Sequence, residues 1–514
     1  VNKTIASYDK VPYPSQPFPS AHLERLFTMG KIFGLDPAPI GDCRVLELGC
    51  SDGGNILPMA MAFPESRFTG LDLSRHQVKM GNTHIEALKV HNLSLIHSGI
   101  EDLSPEAGTF DYIICHGVYS WVPPEIQDKI MAAIDKHLAP QGVAYVSYNT
   151  YPGWAAPATL RELMKFHTHG IENPNECIGQ ALAIADFMAS FIQTENDEHA
   201  GFLKKEIEKL KNIRLNTSTA AYIYHEYLED VNTPVYFHEF AKQVAKNGLQ
   251  YLGESVYSEM STHGFPQEVN DALGQIDNIV QIEQYMDFLR NRRFRKSLLC
   301  RAERTLTRKF PYEQIADYNV VCTKNMNKEL IKIAPGAPVS KAALDVLLEE
   351  RPKALSFEEV LSRANQRIAN SEKKKQIETS LNSLVNDLLH YFSLNMIQLC
   401  SWQPEFTLHP GSRPKVLNLA RYQAEKEQQW VTNAFHEAVI LPRPLKLLGG
   451  LADGKLDRNE LAFAMKNKLI ESGVQMMGRQ DQEPVSISDL NPTALAGIVD
   501  QMLTELAAKY LLEE

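Results

Sequence analysis

Short apolar runs alternate with amphipathic stretches through the first third of the chain. Residues 44–48, 67–71, 93–97, 112–115 and 143–148 are apolar runs of strand length. Helical patterns lie between them, including residues 123–137, which end before the turn-forming Ala139-Pro140-Gln141-Gly142. Alternating β and α units predict a parallel sheet covered by helices. From residue 157 to about 228 the periodicity is helical only, broken by the polar Thr194-Glu195-Asn196-Asp197-Glu198, and reads as an insertion. Beyond it, residues 235–247 predict an amphipathic helix closed by Gly248. Residues 250–254 and 294–301 predict two late strands, which would bring the sheet to seven.

Proline recurs from Pro12 to Pro19. Each one fixes φ and lacks an N–H, so residues 8–19 predict an extended arm. Its aromatic side chains, Tyr8, Tyr13 and Phe18, need a surface to cover, and a helix should follow over residues 20–33. After residue 309 the character changes. Residues 342–350, 356–370 and 372–390 are helical patterns that lead into an alternating stretch at 391–402. Helices followed by a β-wing describe a winged-helix module, and a weaker second copy runs from 433 to about 506. The chain is expected to divide into a nucleotide-binding α/β domain with its arm (1–155), a helical insertion (156–230) and a middle region that completes the sheet (231–308). A winged-helix-like segment (309–410) and a C-terminal helical domain (411–514) follow.

The first strand ends in Val45-Leu46-Glu47-Leu48 and runs into Gly49-Cys50-Ser51-Asp52-Gly53-Gly54-Asn55; the second ends at Asp72-Leu73. An α/β fold builds a nucleotide cleft this way: the glycines let backbone N–H groups approach the ligand, and the later acid holds ribose hydroxyls. Three details choose among nucleotides. Glu47, just before the turn, suits an ammonium and would repel a pyrophosphate. The spacing Gly49…Gly53-Gly54 departs from the dinucleotide pattern. Gly99-Ile100-Glu101-Asp102, after the third strand, can offer a carboxylate to an adenine amino group. Together they favour S-adenosylmethionine over NAD or FAD. Gly49, Cys50, Ser51, Asp52, Gly53 and Asn55 are expected to cradle it, with Asp72, Leu73, Ile100 and Glu101 at the nucleoside. A positive φ at Ser51 would be strained.

With 514 residues, 44% hydrophobic and 22% charged, the chain can bury more than one core. No apolar stretch has the length to span a bilayer, and Val1-Asn2-Lys3-Thr4 lacks a signal core, which predicts a cytoplasmic protein. The seven cysteines are scattered without CxxC and predict free thiols. A net charge of −11 disfavours a nucleic-acid partner. The one basic run, Arg290-Asn291-Arg292-Arg293-Phe294-Arg295-Lys296, is expected to flank a late strand and pair with acids. The candidate recognition helix, Glu372-Lys373-Lys374-Lys375-Gln376-Ile377-Glu378, has a single lysine cluster, so protein docking or a homodimer is favoured over DNA. His225-Glu226 and His238-Glu239 lack HExxH spacing and read as ordinary helix residues, so no metal is expected.

Several longer motifs occur in order: Tyr8-Asp9…Pro12-Tyr13-Pro14, the turn at 47–55, Gly117-Val118-Tyr119-Ser120-Trp121-Val122, Ser147-Tyr148-Asn149-Thr150-Tyr151-Pro152-Gly153-Trp154 and Tyr224-His225-Glu226-Tyr227-Leu228-Glu229. On these the chain resembles class I S-adenosylmethionine-dependent methyltransferases. Within that class it is similar to a bacterial subfamily with a methyltransferase regulatory domain, which includes rickettsial lysine methyltransferases acting on outer-membrane proteins. The likeness runs from about residue 8 to 305 and departs from many relatives at Ser51, where they carry glycine. It implies a Rossmann-like seven-stranded methyltransferase sheet, S-adenosylmethionine as methyl donor and a protein lysine as acceptor. The alternatives are a small-molecule acceptor, which would call for a closed aromatic pocket, and a non-catalytic DNA-binding regulator, which would call for a contiguous basic face.

In-line methyl transfer needs an aligned, water-free and deprotonated acceptor. Amine methyltransferases often place an Asn-Pro-Pro-Tyr-like motif after the fourth strand, where this chain has His116-Gly117-Val118-Tyr119. The resemblance implies that Tyr119 lines the transfer site and that His116 accepts a hydrogen bond or proton from the acceptor. His116 and Gly117 would also meet the cofactor. Tyr148, Tyr151 and Trp154, after the fifth strand, could cage a cationic acceptor with their ring faces.

Overall fold

A computed structural model describes residues 11, 15–192, 198–216, 219–308, 312–369, 380–473 and 491–513. Strands β1 (Arg44–Leu48), β2 (Arg67–Asp72), β3 (Leu93–His97), β4 (Phe110–Cys115), β5 (Leu138–Asn149), β6 (Leu249–Glu254) and β7 (Phe294–Arg301) form one sheet, in the order β3-β2-β1-β4-β5-β7-β6. The first five strands run parallel, and β7 enters antiparallel between β5 and β6. The strand order reverses between β1 and β4, which opens the cleft at their carboxyl ends.

The sheet is buried on both faces, so its central strands are mainly apolar, with Glu47 in β1 and Ser147 and Asn149 in β5 as buried polar exceptions. Tyr112, Ile114, Val143 and Tyr145 point into one core, which also holds Leu26, Met59, Val320, Leu344 and Leu399. Their neighbours Ile113, Cys115, Val146 and Tyr148 point into the other, with Ile130, Phe237 and Phe240. The first core therefore ties the later segment around residues 315–400 to the sheet.

The expected turn Ala139-Pro140-Gln141-Gly142 lies instead within β5. Phe110 pairs with Leu138 and Tyr112 with Val143, so these four residues bulge opposite Asp111. A bulge absorbs the extra residues without ending the strand, which is why β5 starts earlier than its apolar run.

The insertion comprises helices Ala155–His167, Pro174–Phe191, Glu198–Asn216 and Thr219–Ile223, closed by a π-helical turn at Tyr224–Leu228. They share their own core of Leu160, Met164, Ala181, Ile207, Leu210 and Ile223. Farther along, Asn319–Cys322, Leu355–Ser356 and Ile397–Cys400 form a three-stranded antiparallel sheet beside helices Pro338–Glu350, Phe357–Ala369 and Ser380–Ser393. The last part has a separate core built from Asn418–Glu425, Arg443–Leu451, Arg458–Glu471 and Pro492–Ala508. Tyr8, Tyr13, residues 194–197 of the polar break and the cluster Lys373-Lys374-Lys375 lie outside the described residues.

The basic run at 290–296 is turned inward. Arg292 pairs with Asp287 at 2.9 Å, Arg293 with Glu206, and Lys296 with Glu259 at 2.5 Å. Arg295 is fully buried against Glu254 at 2.6 Å, Glu283 at 2.9 Å and Asp287 at 2.9 Å. Removing one partner from such a cluster would strand a buried charge. Among the described residues no helix is long and apolar enough to cross a membrane.

Candidate active site

A cavity of about 480 Å³ opens beyond the carboxyl ends of β1, β2, β4 and β5. Glu47, Gly49, Cys50, Ser51, Asn55 and Asp72 form one wall, with Leu73, Ile100 and Glu101 at its end and His116 and Gly117 on the β4 side. The turn is shaped by backbone contacts. Gly49 and Cys50 donate to Leu71 O at 2.8 and 3.0 Å. A Cβ on Gly49, whose φ is +75°, would stand 2.4 Å from Val118. Ser51 does adopt φ 53°, the left-handed region where a side chain is strained. Its N–H donates to Asp72 Oδ2 at 2.8 Å, and Ser74 N–H donates to Asp72 Oδ1 at 2.8 Å. These two backbone donors orient the Asp72 carboxylate on the cavity wall.

Asp52 and Gly53 stand behind this wall. Gly53 closes the turn by donating to Cys50 O at 2.9 Å, and Asp52 lies 4.0 Å from His84.

Glu47 is buried, and burial pushes its carboxyl up to about 8, against the opposing hydrogen bond from Asn55. Asn55 Nδ2 donates to Oε1 at 2.7 Å, while Oε2 is buried with no hydrogen-bond partner among the described residues. Two orphaned donors, Asn149 Nδ2 and Trp154 Nε1, belong to other residues on the cavity wall. Buried polar atoms are seldom left unpaired. This set, one acceptor and two donors around an apolar-walled cleft, fits a ligand with an ammonium at one end, such as S-adenosylmethionine.

The β4 and β5 residues divide by strand parity. His116 lines the cavity, stacks on Phe18 of the arm at 3.7 Å, and meets Tyr145 Oη at 2.9 Å through Nδ1. Burial, followed by the charge of Lys296, lowers its pKa to about 3. It is neutral near pH 7, which suits accepting a hydrogen bond better than taking a proton.

Tyr119 and Tyr148 are not on the cavity wall. Tyr148 stacks on Phe240 at 4.1 Å and bonds Ser297 Oγ at 3.1 Å. Tyr119 packs edge-on to Phe240 at 5.4 Å and donates to Gln243. Tyr151 packs on Tyr236 at 5.4 Å. Of the expected three-ring cage only Trp154 reaches the cavity, because alternation along β5 turns Tyr148 into the opposite core.

The cavity also holds residues that sequence reading did not place there: Asn149, His225, Glu226 and Phe294 on the far wall, and Ser15 and Phe18 of the arm beside Gly54 and Asn55. His225 and Glu226 come from the π-helical turn, a form often found at functional sites. His225 bonds Glu229 Oε1 at 2.9 Å and Val11 O at 2.5 Å, which ties the arm to the insertion. Glu226 is half-buried; burial pushes its carboxyl up to about 7, with Arg161 pulling the other way.

Known proteins resemble the chain along its whole length. A methyltransferase domain model matches residues 45–142, a model for a predicted methyltransferase regulatory domain matches 219–301, and one for the PKMT C-terminal winged helix domain matches 412–511. The uncharacterized protein RP789 of Rickettsia prowazekii is 32% identical over 502 residues, covering 93% of this chain and 88% of that protein. The structure of PKMT2 from Rickettsia typhi aligns over 98% of this chain and 100% of its own, with 29% identity and a TM-score of 0.84. The structure of that protein in complex with AdoHcy gives 0.83.

With the sheet order and the glycine turn, these likenesses define a class I S-adenosylmethionine-dependent methyltransferase. The chain belongs to the family of RP789, with a regulatory domain and a PKMT-type winged helix at its C-terminal end. That winged helix falls on the segment read from sequence as the weaker second copy.

Proposed function

We propose that this methyltransferase acts on the side-chain amine of lysine in a protein substrate. The observation that carries this reading is Glu226, a carboxylate on the cavity wall held by the π turn, with a proton affinity raised by burial. A carboxylate there attracts a cation and repels carboxylate or phosphate acceptors. The PKMT designation of the full-length structural relative agrees with it.

S-adenosylmethionine, when bound, supplies an electrophilic methyl group for in-line displacement. The residues of the chain do the rest. Glu47 Oε2 receives the ammonium of the amino-acid end, Asp72 accepts from the ribose hydroxyls, and Glu101 accepts from the adenine amine. Glu226 takes the proton that keeps the acceptor amine from acting as a nucleophile. Trp154 offers a ring face to the cationic acceptor, and His116 accepts a hydrogen bond. In this reading residues 1–155 and 231–308 carry the cofactor and the sheet, 156–230 brings Glu226 over the cleft, and 309–514 serves docking.

Labelled methyl transfer tests the reading. The protein is incubated with methyl-labelled S-adenosylmethionine and a bacterial lysate, the products are separated by mass, and the protein fraction is acid-hydrolysed. Label is expected in methylated lysine. Label confined to small molecules, or lost from protein in mild base as an ester, would contradict it.

A further inference from the structure

The last part of the chain reaches the cofactor wall through one side chain. Strands Val431–Thr432 and Ala438–Val439 form a hairpin, and its tip is a built structure. Asn433 Oδ1 accepts from the N–H groups of Phe435 and Glu437, both at 3.0 Å. Phe435 packs against Phe406 at 5.2 Å and Tyr510 at 5.0 Å, and Glu437 pairs with Lys324 at 2.6 Å. Between these anchors His436 is held at φ 58° and is buried. A non-glycine residue in that region carries a conformational cost that the rest of the turn must offset.

The ring of His436 meets Asn55, 381 positions away in sequence, with Nε2 at 2.9 Å from Oδ1. The same oxygen accepts Phe18 N–H at 3.0 Å, and the amide's Nδ2 donates to Glu47 Oε1 at 2.7 Å. A backbone donor at Oδ1 fixes the amide orientation, so Nε2 of His436 must carry the hydrogen. Burial, with His22 at 5.0 Å, keeps the ring neutral. The chain of bonds therefore runs one way: hairpin to Asn55, Asn55 to Glu47, leaving Glu47 Oε2 for the ligand. A second contact supports the same turn from behind, where Tyr422 Oη meets His84 Nδ1 at 2.9 Å and His84 faces Asp52.

We propose that the hairpin tip of the C-terminal winged helix is part of the cofactor site: His436, through Asn55, positions Glu47 to receive the ammonium of S-adenosylmethionine. His436 is a positioning residue and touches no reacting atom. The inference rests on the placement of that ammonium at Glu47. It makes docking of the C-terminal part a condition for tight binding of the amino-acid end, and leaves the nucleoside end independent of it.

Calorimetric titration of the full chain tests this with two ligands. S-adenosylmethionine carries the ammonium; 5′-methylthioadenosine keeps the nucleoside and thioether and lacks the amino-acid end. His436→Gly removes the ring while suiting the positive φ, and His436→Gln restores an N–H donor at similar reach. His436→Gly is expected to weaken S-adenosylmethionine about tenfold and to change methylthioadenosine by less than about twofold. His436→Gln should recover most of the loss. Equal S-adenosylmethionine affinity in His436→Gly and the native chain, alongside weakened binding in Glu47→Gln, would overturn the role of His436. So would a parallel loss of both ligands. Unchanged S-adenosylmethionine binding in Glu47→Gln would instead overturn the placement of the ammonium, and the inference with it.

Discussion

On one side of the cavity, Glu47, Gly49, Asn55 and Asp72 all come from a single β-α-β unit. On the other, Asn149, Trp154, His225, Glu226 and Phe294 come from the end of β5, the insertion and the start of β7. Both sides present an acid whose proton affinity is raised by burial, the buried Glu47 to about 8 and the half-buried Glu226 to about 7. They differ in what holds them. Glu47 is fixed by a strand, a glycine turn and a hydrogen-bonded amide. Glu226 rides on a π turn at the edge of a helical insertion with its own core. The ligand-facing residues of the cofactor wall come from one local unit, braced from outside through Asn55 by the arm and the C-terminal hairpin, whereas the acceptor wall is assembled from three separate parts of the chain.

The two sides should therefore break differently. The largest effect is expected from Glu226→Gln, which keeps shape and removes the base: turnover should fall about 10²–10⁴-fold while cofactor affinity stays unchanged. Rapid-quench measurement of methyl transfer at saturating S-adenosylmethionine checks this, and an equal loss in affinity would erase the distinction between the walls. Gly49→Ala comes next. Its positive φ and its overlap with Val118 should cost about 2–5 kcal/mol of stability, read from urea unfolding.

Glu47→Gln should weaken S-adenosylmethionine about 10–100-fold and leave methylthioadenosine untouched. The pH dependence sharpens this. Free Glu47 is protonated below about 8, and an ammonium needs the carboxylate, so native affinity should rise from pH 6 toward 8 as binding releases that proton. Titrations across that range should give a flat acidic limb in the glutamine variant. The smallest effect belongs to Ser51→Gly. Relief of φ 53°, less the extra freedom glycine gives the unfolded chain, should raise stability by about 0.5–1 kcal/mol in a thermal melt.

The same contrast governs what could be read from the chain. The seven strands and the glycine turn were legible because periodicity and turn chemistry are local, and each core strand carries its own apolar run. Strand parity was also legible in principle. Tyr145 and Ser147 share the face that supports His116, and Asn149 continues that odd-numbered series, so Tyr148 had to point into the opposite core with Phe240. Its aromatic ring suits a core as well as a cleft, and only its position in the alternation decides between them. Glu226 stood in a quoted motif, yet nothing near it in sequence reveals a π turn or a cleft reached across the fold. His436 carried no signal at all, because its partner Asn55 lies at the other end of the chain and its left-handed turn is set by Asn433. The bulge in β5 was hidden for a similar reason: Ala139-Pro140-Gln141-Gly142 has turn chemistry, and only pairing with β4 keeps it in the strand.

The division of labour between the two acids is tested most directly by the pH profile of single-turnover methyl transfer at saturating S-adenosylmethionine, native against Glu226→Gln. If Glu226 takes the acceptor's proton, the native rate should rise with pH to a plateau above about 7, and this limb should vanish from the residual rate of the variant. An identical limb in both proteins would place the base elsewhere and contradict the assignment of the far wall.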